Sequence, residues 1–198
     1  MFERVTIRVA DVEASQRFYD TVLSALGIDR AASELSIERQ DGDHGVTRDV
    51  HFGFRAPGRP EVDEFWRAGT GAGYADDGAP GPRPQYTEDY YGSFLLDPDG
   101  NSAEAVHHGA MRGGGAIDHI WIRVPDVDAA KRFYSEIAPH AGFRLVEEVP
   151  ARARYAGDEG GSFTLLAGRP TENLHMTFRG TVTGVRIDPE GNRVEIVT

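Results

Sequence analysis

Val5, Ile7 and Val9 alternate with Thr6 and Arg8, the period-two pattern of a strand with one buried face. Asp11 follows in a helix-capping position. Phe18, Tyr19, Val22, Leu23 and Leu26 then recur at helical spacing, which predicts a helix with one apolar stripe turned to the core. The same sequence of signals returns later, with Asp126 as the cap and Phe133, Tyr134 and Ile137 as the stripe. Short strands are expected around 34–39 and 46–54, and a further helix in PEVDEFWRAG. A long Gly- and Pro-rich loop is expected over 69–92. Asp97-Pro98-Asp99-Gly100 and Asp188-Pro189-Glu190-Gly191 have turn chemistry and apolar flanks, so each reads as a β-hairpin. Beyond each turn, alternation places Glu104 and Glu195 at the same position, four residues after the glycine.

These recurrences are an internal repeat. ERVTIRVADVEASQRFYD (3–20) matches DHIWIRVPDVDAAKRFYS (118–135) at an offset of 115, VHFGFR (50–55) matches LHMTFR (174–179) at 124, and the hairpins match at 91. The chain therefore reads as two homologous halves: a complete unit over 1–108, a Gly-rich linker over 109–116, and a second, shortened unit over 117–198. The fall in offset from 124 to 91 means that the second half lacks 33 residues between Phe178 and Asp188. That interval holds the helix and long loop of the first half.

Composition narrows the function classes. A net charge of -11 argues against nucleic acid as the main partner, since phosphate binding calls for a basic patch. No apolar run is long enough for a membrane helix, and MFERVTIRVADVE has no apolar signal region. The absence of cysteine excludes disulfides and thiolate metal sites and makes a cytoplasmic location the default expectation.

The repeated motifs, with VHFGFRAP, LHMTFRG, LDPDGNSAEAV and IDPEGNRVEIV, resemble the glyoxalase/bleomycin resistance protein/extradiol dioxygenase superfamily, the vicinal oxygen chelate proteins. The resemblance covers nearly the whole chain. It implies an α+β fold of tandem βαβββ modules forming curled mixed sheets, or half-barrels, around clefts. It also implies metal-ligand positions on the first strand, the second-module strand and the closing hairpin. These fall on His119, His175 and Glu195 in the second half, and on Arg4, His51 and Glu104 in the first. The second half thus keeps two histidines and a glutamate, while the first reads as a degenerate site with Arg4 in place of a histidine and paired to Glu104.

Two imidazoles and a carboxylate on one face of a divalent metal (Fe, Mn, Ni or Zn) leave open positions for vicinal substrate oxygens. The expected function is a metal-dependent enzyme of the glyoxalase or ring-cleaving dioxygenase type, acting on a small substrate. The alternative is a metal-free binder of small, antibiotic-like molecules from the same superfamily. A third reading makes the shortened half a structural partner of the first. Pairing of chains into a homodimer is left open. Tyr86, Tyr90, Tyr91 and Arg83 in the long loop are candidates for a lid or substrate contacts, and Tyr74 shares that stretch. His107 and His108 read as exposed linker residues.

Overall fold

The structure is a computed structural model that describes residues 1–110 and 113–198; residues 111–112 of the expected linker lie outside the described residues. The chain runs β1 (Phe2–Val9), α1 (Val12–Ser24), β2 (Leu35–Arg39), β3 (Val50–Arg55), α2 (Arg59–Gly71), β4 (Ala75–Pro82), β5 (Tyr91–Leu96) and β6 (Ser102–His107). It continues with β7 (Ile117–Val124), α3 (Val127–Ile137), β8 (Phe143–Val149), β9 (Arg152–Gly157), β10 (Ser162–Ala167), β11 (His175–Arg179), β12 (Gly184–Ile187) and β13 (Arg193–Val197). Among the described residues no helix is long and apolar enough to cross a membrane.

The elements follow from the local sequence. The side chain of Asp11 accepts from the Ala14 amide and that of Asp126 from the Ala129 amide, closing the first turns of α1 and α3. Loss of such a cap costs about 1 kcal/mol. Phe18, Tyr19, Val22 and Leu23 form the buried stripe of α1. The hairpins are built identically. Asp97 Oδ1 accepts from the amides of Asp99 and Asn101, as Asp188 Oδ1 does from Glu190 and Asn192. The hydroxyls of Tyr19 and Tyr134, both fully buried, donate to the remaining oxygens of Asp97 and Asp188 at 3.0 and 2.9 Å. Each helix is thereby tied to a hairpin 78 or 54 residues away.

The fold is α+β, with βαβββ-like modules in two mixed sheets. One sheet has eight strands in the order β4-β5-β6-β3-β7-β10-β9-β8; the other has five in the order β12-β13-β11-β1-β2. The end strands of neither sheet pair with each other, so the half-barrels implied by the resemblance are here two open sheets. The complete βαβββ modules are the two in the middle of the chain, β3 to β6 and β7 to β10, and together they make the large sheet. The terminal modules are both short: β1-α1-β2 has two strands, β11 to β13 has no helix, and together they make the small sheet. Each sheet therefore takes strands from both halves, joined where β3 pairs antiparallel with β7 and β1 with β11. A single core fills the interior, from Ile7 and Phe18 through Phe52 and Phe54 to Tyr134, Phe163 and Phe178.

The expected loop over 69–92 is largely ordered otherwise. Helix α2 reaches Gly71, and β4 takes residues 75–82 as the edge of the large sheet, leaving a short connection at 83–90. Glycine and proline hid this strand, because they carry no alternation. An edge strand can hold proline, since one row of its amides needs no partner.

Candidate metal centre

Three buried side chains from three adjacent strands meet on one face of the large sheet: His51 on β3, Glu104 on β6 and His119 on β7. Register brings them together. His51 lies beside Ser102 and Gly53 beside Glu104 in the parallel β3–β6 pair, while Gly53 faces His119 in the antiparallel β3–β7 pair. Glu104 Oε2 lies 3.0 Å from His51 Nε2 and 3.2 Å from His119 Nε2, and the two Nε2 atoms are 3.2 Å apart. Gly53 is needed for the approach, because a Cβ there would fall on the His119 imidazole.

Each ligand atom is aimed by a second partner. His119 Nδ1 is 3.0 Å from Asp118 Oδ2. Neighbours in a regular strand point to opposite faces, but the β3–β7 register breaks between Gly53 and Phe54, and this bulge leaves Asp118 outside the pairing and able to reach the ring beside it. Asp118 is held in turn by His108 Nε2 at 3.0 Å, with the buried Arg55 guanidinium 3.9 Å away. His51 Nδ1 is 3.1 Å from Ser102 Oγ, which itself donates to Asp77 at 2.8 Å. Tyr90, buried, donates its hydroxyl to Glu104 Oε1 at 2.8 Å. With acceptors at both Nδ1–H groups, each imidazole in its neutral form presents its Nε2 lone pair to the centre, the usual arrangement behind metal-binding histidines.

The electrostatics carry the same signature. Burial raises the pKa of the Glu104 carboxyl, but the two imidazoles outweigh it and hold the group down at about 2. Burial would lower His119, yet Asp118 and Glu104 push it up to about 9. Burial dominates at His51 and lowers it despite Glu104. Without a metal, a single proton on His119 stands where three ligand atoms converge.

The donor set fits a divalent cation. Cis ligands about 2.1 Å from an octahedral metal are about 3 Å apart, the spacing found here. Two imidazoles and one carboxylate form the facial arrangement that leaves further positions open.

The ligand positions expected from the sequence are regrouped. His119 stands in the large sheet, whereas His175 and Glu195 stand in the small one, with Nε2 and Oε2 3.1 Å apart. Arg4 is exposed on β1, opposite Thr177, and does not pair with Glu104. The guanidinium beside His175 and Glu195 is that of Arg193, 3.3 Å from His175 Nε2 and 3.6 Å from Glu195 Oε2. The physical reason is the exchange of strands: the first strand of each half completes the ligand set of the other half.

Tyr90 and Tyr86 lie at the site. The Tyr86 ring, 41% exposed, leans on Tyr90 and on Trp121, with centroids at 4.9 and 5.7 Å. Arg83 lies over Phe94 on the His51 side. Tyr91 faces away, donating to Asp63 of α2 at 2.9 Å, and Tyr74 packs edge-on against Phe18 in the core. His108, expected at the surface, is largely buried against Asp118. Sequence reasoning missed Asp118, Trp121 and Gly53. The first two flank His119 by one and two residues, and Gly53 interrupts a strand of large side chains, a mark of close approach by another group.

Two clefts flank the triad and share Tyr86 and Trp121 in their walls, one of ≈ 400 Å³ on the His51 side and one of ≈ 470 Å³ on the His119 side. Both are of a size that takes a small molecule.

Residues 116–185 match the family model of the Glyoxalase/Bleomycin resistance protein/Dioxygenase superfamily. Glyoxalase I from Zea mays has a similar structure, with a TM-score of 0.68 at 14% identity, over 99% of this chain and 91% of that one. A putative dioxygenase from Bacillus subtilis aligns over 98% of this chain and 84% of that one, with a TM-score of 0.59 at 14% identity. No curated protein sequence matches the chain. The superfamily's motif segment is thus recognisable over residues 116–185, and over nearly its whole length the chain shares the fold of a two-module glyoxalase I.

Proposed function

We propose that the protein is a metal-dependent enzyme of the glyoxalase or ring-cleaving dioxygenase type, acting on a small substrate with vicinal oxygens, and that His51, Glu104 and His119 are its ligands. The convergence of Nε2, Oε2 and Nε2 within 3.2 Å, with each imidazole held from behind, carries this reading. A divalent metal held there supplies Lewis-acid polarisation of the substrate oxygens. The chain's own residues do the rest. Asp118 and the Ser102–Asp77 pair fix the two imidazoles, Tyr90 fixes the carboxylate, and Trp121 and Tyr86 wall the face on which substrate would lie and keep water from it.

A second reading, a metal-free binder, is favoured by the aromatic walls and by a triad whose polar atoms already satisfy one another. Elemental mass spectrometry on protein purified without chelator separates the two. Close to one Fe, Mn, Ni or Zn per chain, absent from His119→Ala, supports the enzyme. No metal even after reconstitution refutes it and leaves the binder.

A further inference from the structure

The two complete modules are related by a pseudo-twofold axis between β3 and β7, and the residues that break this symmetry describe what the cleft takes. His51 pairs in register with Ser102, and the ligand Glu104 stands two residues further along β6. By the same count His119 pairs with Ser162, and Thr164 stands two residues further along β10. Thr164 thus occupies the position equivalent to Glu104, with a hydroxyl in place of a carboxylate. The next strand out differs too. Glu104 is flanked in register by Phe94 on β5, whereas Thr164 is flanked by Arg154 on β9. The module that lacks the carboxylate carries a cation beside the vacancy.

That side is the ≈ 470 Å³ cleft, lined by His119, Trp121, Thr164, Arg152 and Arg154. Both arginines pair with one carboxylate, Glu147, with Arg154 Nε 3.4 Å from it. All three side chains are accessible, at 43%, 41% and 36% exposure for Arg152, Arg154 and Glu147. The other carboxylate of this cleft, Asp118, is already engaged by His108 and His119, so Glu147 alone faces the two arginines. On the His51 side, Arg83 and Arg123 share their cleft with Asp49 and Asp77.

We propose that the His119-side cleft is a carboxylate subsite: the substrate is a small 2-hydroxy or 2-oxo acid, held at its carboxylate by Arg154 and the Thr164 hydroxyl, with its apolar part against Trp121 and Tyr86. A planar guanidinium matches a carboxylate in two parallel hydrogen bonds, and such charge-assisted bonds exceed neutral ones in strength. A hydroxyl at the vacated ligand position donates to an anion without the repulsion a second glutamate would impose. The proposal rests on the metal reading only in orienting the acid's two oxygens toward the triad; the arginine contact does not need the metal.

The test is calorimetric titration of the full-length protein, with its metal content measured in the same sample, using mandelate and 1-phenylethane-1,2-diol. Both probes offer an aryl ring and two vicinal oxygens, and only mandelate carries a carboxylate. Mandelate should bind about tenfold or more tightly than the diol. Arg154→Gln should remove most of that preference while leaving diol binding and bound metal unchanged. Equal binding of the two probes, no binding of either, or a preference that survives Arg154→Gln would overturn the subsite. A preference lost in Arg154→Gln but seen in protein that holds no metal would uphold the subsite and remove the metal reading alone.

Discussion

The small sheet holds a copy of the constellation in the large one, and the two share a histidine and a glutamate but differ at three other positions. In register terms Arg4 stands for His119, Thr177 for Gly53, His175 for His51, Glu195 for Glu104 and Arg193 for Ser102. Even the bulge is repeated, leaving Glu3 where the other copy has Asp118, and Arg179 takes the place of Arg55. In the large sheet Gly53 opens room for a second imidazole; in the small sheet the Thr177 side chain fills that room, with its Oγ1 3.4 Å from His175. Arg193 then brings a permanent cation to His175 and Glu195, where Ser102 offers His51 only a hydroxyl. Glu104 has no exposure, whereas the Glu195 side chain keeps 26%. The small sheet thus keeps the histidine–glutamate pair of the large one, but a threonine fills the space of the third side chain and a guanidinium stands beside the pair.

The comparison can be broken most strongly at the ligands. Glu104→Ala or His51→Ala should abolish bound metal in elemental analysis, while Glu195→Ala and His175→Ala should retain about one equivalent, because a site left with two ligands loses most of its affinity. Retention in Glu104→Ala, or loss in Glu195→Ala, would reverse the assignment of the two sheets. Gly53→Thr copies the small-sheet residue into the large sheet. It should expel the His119 ring from its place and lower metal affinity by about 100-fold or more, with circular dichroism showing the fold kept. The reverse construction, Arg4→His with Thr177→Gly and Arg193→Ser, should raise the metal content from about one to about two per chain, as read by titration with a chromophoric chelator. An unchanged stoichiometry would show that exposure, and not the three side chains, silences the second copy.

Smaller effects sharpen the same contrast. Asp118→Asn keeps the shape but removes the charge behind His119, and should weaken metal binding about 10- to 100-fold. Glu3→Gln, the equivalent change in the small sheet, should leave both metal affinity and Tm essentially unchanged, since the Glu3–Arg179 pair is solvent-exposed. The pH dependence has a definite sign. Asp118 and Glu104 push the His119 imidazole up to about 9, so a metal binding at neutral pH would displace its proton. Binding should release about one proton at pH 7, and affinity should rise about tenfold per pH unit until the pH passes that value. Calorimetry in buffers of different ionisation enthalpy reads this directly; zero proton release would mean that His119 is neutral before the metal arrives.

Much of this was written in the chain. The alternation of Val5, Ile7 and Val9, the caps Asp11 and Asp126 and the paired hairpin turns set helices and strands locally, because each depends on residues a few positions apart. The duplication, and a histidine or glutamate at five of the six repeated ligand positions with Arg4 at the sixth, also lay in the sequence. Strand β4 was not legible, since a glycine- and proline-rich edge strand has no buried face to impose a pattern.

Which ligands share a site was decided by tertiary structure alone. Sequence grouped His119 with His175 and Glu195 because they lie in one half of the repeat. Antiparallel pairing of β3 with β7, and of β1 with β11, joins residues 63 or more positions apart and regroups them across the halves. The apolar alternation says which face of a strand is buried and is silent on which neighbour lies beside it. Pairing partner and register, and with them the meeting of His51, Glu104 and His119 over Gly53, are fixed only when both sheets close over one common core.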